Sequence, residues 1–142
     1  MSAKQLSVFI ENRQGRLGEV LNVLKENNVN ILSLSLADTT EYGLLRLIVN
    51  NPELGREKLA EKGFSTMLTK VLVIEIQHEA GSLQNLLEVL AKRDINIEYM
   101  YGLSTSGSRA FVVLKTCDLA KASEVLAEYG INCLSSENVC AL

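Results

Sequence analysis

The chain holds one histidine, His78, followed by Glu79, Gly81 and Ser82. A serine close to a histidine suggests a nucleophile and its base. Acyl transfer by such a pair also needs a third group to orient the base, or a sharp elbow that exposes the hydroxyl. The sequence supplies neither, so no catalytic residue is assigned and no enzyme is expected. The three cysteines, Cys117, Cys133 and Cys140, contain no Cys-x-x-Cys. With a single histidine they do not compose the four-ligand set of a structural zinc site. They read as reduced, partly buried thiols. No metal and no cofactor is expected, and no Gly-x-x-x-x-Gly-Lys or Gly-x-Gly-x-x-Gly phosphate loop occurs.

A different chemistry attaches to Asn12, Gly15 and Leu17. They lie where an alternating run, Leu6-Val8-Ile10, gives way to a helical stripe, Leu17-Val20-Leu21-Leu24. A helix that starts there presents unpaired backbone N–H groups and the positive end of its dipole, which favour a carboxylate. Asn12 adds a carboxamide beside that turn. Asn30 adds another at the start of the next strand, beside backbone groups that a sheet edge leaves unpaired. A carboxylate receptor together with amide oxygens that accept from an ammonium group describes an α-amino-acid site. The same spacing also serves a plain turn, with Asn30-Ile31 merely closing the helix.

The pattern recurs. Glu11–Ile31 returns 66 residues later as Gln77–Ile97, with Gly15 matching Gly81, Leu17 matching Leu83, and Asn30-Ile31 matching Asn96-Ile97. Aligned without gaps, residues 6–49 and 72–115 share ten identities in 44 positions, where average composition gives roughly three. One inserted residue is needed later, so that Glu61-Lys62-Gly63-Phe64 meets Glu128-Tyr129-Gly130-Ile131. An internal repeat of this length governs the fold.

The elements that position these residues follow in order. After the first strand and helix, Val29–Ala37 and Leu44–Val49 read as a hairpin around Asp38–Gly43. Pro52 behind Asn50-Asn51 marks a helix start, Gly63 its end, and Phe64–Leu68 a weak strand. Leu72, Ile74 and Ile76 begin the cycle again, with Ile95–Thr105 and Arg109–Lys115 as strands around a Ser106-Gly107 turn. Asp118 caps a helix, and Ile131–Ser135 is a last strand. Thr66–Lys70 runs from one repeat to the next with no linker. The expected fold is α+β: two ferredoxin-like βαββαβ repeats packed side by side, with antiparallel sheets and helices on one face. The expected domains are residues 1–69 and 70–142.

Charge narrows the partners. The formal net charge is −3 and no basic run stands out, so nucleic acid is not an expected partner. The central strands carry few aromatics for base stacking. Gly15-Arg16-Leu17-Gly18 resembles the Gly-x-x-Gly clamp of KH domains but follows a strand. No apolar run spans a membrane and no signal core opens the chain, so a soluble, cytoplasmic protein is expected.

Asn12-Arg13-Gln14-Gly15-Arg16-Leu17, the leucine stripe and Val29-Asn30-Ile31 together resemble the signature of ACT domains. His78-Glu79-Ala80-Gly81-Ser82-Leu83 with Ile95-Asn96-Ile97 is a looser second copy. Gln14 and Ala80 stand where the family commonly has proline, and His78 where it has Asp or Asn. The resemblance implies small regulatory modules that bind amino acids and act on enzymes of amino-acid metabolism. It implies a ligand between two side-by-side domains in one eight-stranded sheet. Asn12, Arg13, Gln14, Gly15 and Leu17 would then work with Asn96 and Ile97. His78, Glu79, Ala80, Gly81 and Leu83 would work with Asn30 and Ile31. The expected effector is a free amino acid, the expected partner an enzyme of amino-acid metabolism, and the expected assembly a homodimer. The alternative is an oligomerising adaptor that binds no small molecule.

Overall fold

A computed structural model describes residues 2–38, 41–106 and 109–142. Thr39-Thr40 and Gly107, expected in turns, lie outside the described residues. Among those described there are six strands and five helices: β1 (Ala3–Glu11), α1 (Arg16–Glu26), β2 (Ile31–Asp38), β3 (Tyr42–Val49), α2 (Pro52–Glu61), β4 (Ser65–Gln77), α3 (Ser82–Lys92), β5 (Ile97–Ser106), β6 (Arg109–Thr116), α4 (Leu119–Glu128) and α5 (Ser136–Cys140). This is an α+β fold of tandem ferredoxin-like repeats.

The chain forms two compact units. The first comprises Lys4–Thr69 with Cys140–Leu142, and the second Lys70–Val139 with Met1–Ala3. Each chain end therefore belongs to the unit formed by the opposite repeat.

In the first unit the strand order is β2-β3-β1-β4. β1 and β3 are antiparallel, with Leu6 opposite Leu47 and Val8 opposite Leu45. These four side chains point to one face, as the two-residue strand period requires. There they meet Val20, Val23 and Leu24 of α1 and Leu59 of α2 in a buried core. Burying each such side chain contributes about 1.5–3 kcal/mol, which is what holds α1 on the sheet. α2 starts where Asn51 accepts a hydrogen bond from the Leu54 N–H at 3.2 Å, with Pro52 in the first turn.

The second unit repeats this with strand order β4-β6-β5. Leu72 and Ile74 lie opposite Leu114 and Val112, and Leu72, Ile74 and Leu114 join Leu86, Leu90, Val125 and Leu126 in the core. Asp118 caps α4 by accepting from the Lys121 N–H at 3.0 Å. Asn28 and Asp94 hold matching left-handed conformations, φ 56° and 57°, after α1 and α3.

Three expectations are corrected. The separate strands expected at Phe64–Leu68 and from Leu72 are one 13-residue strand, β4, because nothing between them breaks the extended backbone. The last strand expected at Ile131–Ser135 is a single bridge, Ile74 to Cys133, flanked by Glu75 N–H to Asn132 O at 3.0 Å and Leu134 N–H to Val73 O at 2.8 Å. It then turns into α5.

The third correction concerns register. Leu6 and Leu72 are 66 residues apart, but their partners Leu47 and Leu114 are 67 apart. Met100 faces Leu114 as Leu34 faces Leu47, again 66 residues apart. The inserted residue therefore falls after Met100, where β5 shifts register between Leu103 and Ser106, and the ungapped match does not extend through β6. A one-residue slip would send the wrong side of the strand to the core.

Candidate functional site

Asn12, Arg13, Gln14, Gly15 and Leu17 form one turn between β1 and α1. Its geometry is set by Gly15, at φ 86° and ψ −14°, a left-handed position no β-branched side chain takes comfortably. The Asn12 N–H donates to Glu41 O at 3.0 Å, Arg13 N–H to Glu11 O at 2.7 Å, and Arg16 N–H to Arg13 O at 3.3 Å. No side chain caps α1. The first-turn N–H groups of Leu17 and Gly18 thus have no intrahelical acceptor. Beside the turn lies a hollow of about 120 Å³ lined by Asn12, Arg13, Leu17, Leu36 and Gly43. Asn12 to Gly15 are exposed and Leu17 is half-buried.

The turn of the second unit copies this backbone. Gly81 sits at φ 87° and ψ −12°, and α3 also lacks a side-chain cap. Glu79 N–H donates to Gln77 O at 3.0 Å and Ser82 N–H to Glu79 O at 3.3 Å. His78, Glu79, Ala80, Gly81 and Leu83 are exposed. No hydrogen bond joins His78 to Ser82 among the described residues.

Within a unit, the turn and the strand-opening asparagine are not brought together. Ile10 pairs with Gly43, whereas Ile31 pairs with Val49. Those positions on β3 are about 20 Å apart at about 3.3 Å per residue. Ile76 opposite Ala110 and Ile97 opposite Thr116 give the same separation in the second unit.

The two strand openings differ in a way the motif does not show. The Asn30 N–H donates to the Asn50 Oδ1 at 2.8 Å, and the Asn50 N–H returns a bond to Asn30 O at 3.0 Å. Asn50 follows Val49, the partner of Ile31, so its counterpart is Cys117, which follows Thr116, the partner of Ile97. A thiol offers no carboxamide oxygen. Among the described residues the Asn96 N–H has no acceptor. The backbone expected to be open at both asparagines is therefore occupied at Asn30. A contact between residues 20 apart gave no signal in the local pattern.

Arg16, passed over in the sequence, anchors the first turn. Its guanidinium lies 4.2 Å above the Phe64 ring and 2.6 Å from the Glu19 carboxylate. Its Nε is buried without a hydrogen-bond partner. Elsewhere, Lys4 holds the Glu53 carboxyl below its ordinary value through an exposed ion pair. Burial pushes the Cys133 and Cys140 thiols up. Cys117 is exposed, not partly buried as expected. Among the described residues no group of His, Cys, Asp and Glu is placed to hold a metal ion, and no helix is long and apolar enough to cross a membrane.

The sequence matches the family described as an ACT domain pair over residues 1–142, and the chain belongs to that family. It is thus a tandem of regulatory ACT modules. No curated protein sequence matches it. Among solved structures, protein BT0572 from Bacteroides thetaiotaomicron is 35% identical, with a TM-score of 0.95 over 100% of this chain and 98% of that one. The regulatory subunit of aspartate kinase from Thermus thermophilus, in its ligand-free form, is 17% identical, with a TM-score of 0.62 over 88% and 91%. Aspartate kinase from Synechocystis is 14% identical, with a TM-score of 0.62 over 98% of this chain and 26% of that one. The last two likenesses establish shared fold.

Proposed function

We propose that this chain is an amino-acid sensor of two domains, 1–69 and 70–142, which regulates an enzyme of amino-acid metabolism. The observation that carries the reading is the uncapped start of α1, opening beside a hollow rimmed by Asn12. An α-carboxylate satisfies those N–H groups and the helix dipole together. In this proposal the ligand is held by the Asn12–Gly15 turn, with Arg13, Gln14 and Leu17, and the strand openings Asn96-Ile97 and Asn30-Ile31 are the candidates that serve a ligand. A pseudo-equivalent site uses the His78–Gly81 turn and Leu83. The open N–H at Asn96 and the occupied one at Asn30 favour Asn96 as the strand opening that serves a ligand.

The mechanism is linkage: a ligand that binds one packing of the repeats more tightly shifts the population toward it and alters affinity for the partner. The fold shared with a structure described as an aspartate kinase regulatory subunit motivates the class of partner. The proposed setting is the cytoplasm and the proposed assembly a homodimer. Leu34 and Leu36, each 48% exposed on the terminal strand β2, support self-association. The same two leucines favour the second reading, an adaptor that assembles without a small ligand.

Thermal melting against the twenty amino acids separates the two. A ligand at one hundred times its dissociation constant adds about 2.7 kcal/mol, or roughly 8 °C for a chain of this size. A melting temperature unmoved by every amino acid at millimolar concentration would remove the sensor reading and leave the adaptor.

A further inference from the structure

The two repeats differ in what lies beside the turn that follows the first strand. In the first unit that space is filled by the chain itself: the Arg16 guanidinium lies on Phe64 and pairs with Glu19. The counterparts in the second unit are Ser82, Ile131 and Asn85. Each is shorter or lacks the charge or the ring. In place of the guanidinium there is a solvent-open hollow of about 470 Å³, lined by Ser82, Ile131 and Asn85 with Glu75, Glu79 and Asn132. All of these belong to one compact unit.

We propose that this hollow is a second ligand site, which takes a small organic cation bearing a guanidinium or ammonium group. Its size suits a molecule the size of an amino acid, within the usual range of small-ligand pockets. Its charge selects the sign: among the described residues two carboxylates and no lysine or arginine line it. Glu75 is balanced by Arg109 at 3.0 Å and held by the Asn132 carboxamide at 3.2 Å. Glu79 has no ion pair among the described residues, so one negative charge is uncompensated.

The start of α3 contributes a partial positive charge of about half a unit, which works against a cation. In the first unit a guanidinium occupies the corresponding place at the start of α1, because an acidic side chain faces it. In the second unit's hollow Asn85 and Asn132 supply carboxamide oxygens for the ligand's N–H groups, and Ile131 an apolar wall for its carbon chain. The hollow is separate from the Asn12–Gly15 turn and shares Glu79 with the His78–Gly81 turn; the proposal does not rest on the amino-acid reading.

Agmatine, which carries both a guanidinium and an ammonium group, is the probe, with succinate as an anion of similar size. Calorimetry of the full chain at low salt should give saturable agmatine binding at one site. Amide NMR shifts in the unaltered protein should cluster in Glu75–Leu86 and Gly130–Asn132. S82R returns the first repeat's arginine to this position and should weaken agmatine about tenfold or more, while any amino-acid-induced rise in melting temperature persists. Absence of saturable heat below about 10 mM agmatine, amide shifts elsewhere in the chain, or unchanged affinity in S82R would each overturn the site. Succinate binding at these amides in preference to agmatine would overturn the assignment of charge.

Discussion

Cys117→Asn tests which strand opening receives the ligand. In the first unit the Asn50 carboxamide occupies the Asn30 N–H at 2.8 Å. Cys117 stands at the matching position and is exposed, so an asparagine fits there without disturbing the core. It would cap the Asn96 N–H as Asn50 caps Asn30. The new bond should stabilise the unliganded chain by about 0.5–1.5 kcal/mol, a rise of roughly 2–4 °C. If the Asn96 N–H serves a bound amino acid through a bond to a charged oxygen, blocking it forfeits about 1.5–3 kcal/mol. Affinity should then fall about tenfold to a hundredfold. Asn50→Ala is the reciprocal change: it frees the Asn30 N–H, should cost about 1 kcal/mol in stability, and should leave affinity at the first site unchanged. Both quantities come from the same experiment, melting curves with increasing amino acid. A Cys117→Asn protein of unchanged affinity would refute the role given to Asn96, and a gain of affinity in Asn50→Ala alone would transfer that role to Asn30.

Two further predictions concern the second unit and the thiols. Thr116 occupies the position of Val49 and is fully buried, with its hydroxyl unpaired; Thr116→Val removes an unmet hydrogen bond worth about 1–3 kcal/mol. Chemical denaturation should show a gain of at least about 1 kcal/mol, and a loss would mean that the hydroxyl has a partner. Burial raises the Cys133 and Cys140 thiols, so both remain protonated and slow to react near neutral pH. Iodoacetamide followed by mass spectrometry should label Cys117 first, and equal rates at all three cysteines would contradict the burial.

Much of the architecture was legible because it depends on near neighbours. The leucine stripe of α1 and the alternation of β1 are periodicities that a strand or helix must show to bury one face. The starts of α2 and α4 were visible in Asn51-Pro52 and Asp118, since capping involves residues three apart. Gly15 and Gly81 announced the two turns through the left-handed backbone each adopts. The repeat itself, and through it the resemblance to an ACT pair, came from these local signals occurring twice.

What escaped depends on which distant segments pair. The position of the inserted residue was hidden because one strand alone looks similar in either register; only the pairing of β1 with β3, of β4 with β6 and of β5 with β6 placed it near the end of β5, between Leu103 and Ser106. Residues 131–135 have strand composition, yet α5 follows so closely that one bridge remains. The exchange of chain ends between units, the Asn50 cap on Asn30 and the position of Arg16 over Phe64 join residues from 20 to more than 100 positions apart. Sequence alone determined the two matching turns, because local backbone preferences build each. Tertiary structure made them unequal, because Asn50, Arg16 and Phe64 act only where the fold carries them: it caps one strand opening and fills one hollow, and leaves the other of each open.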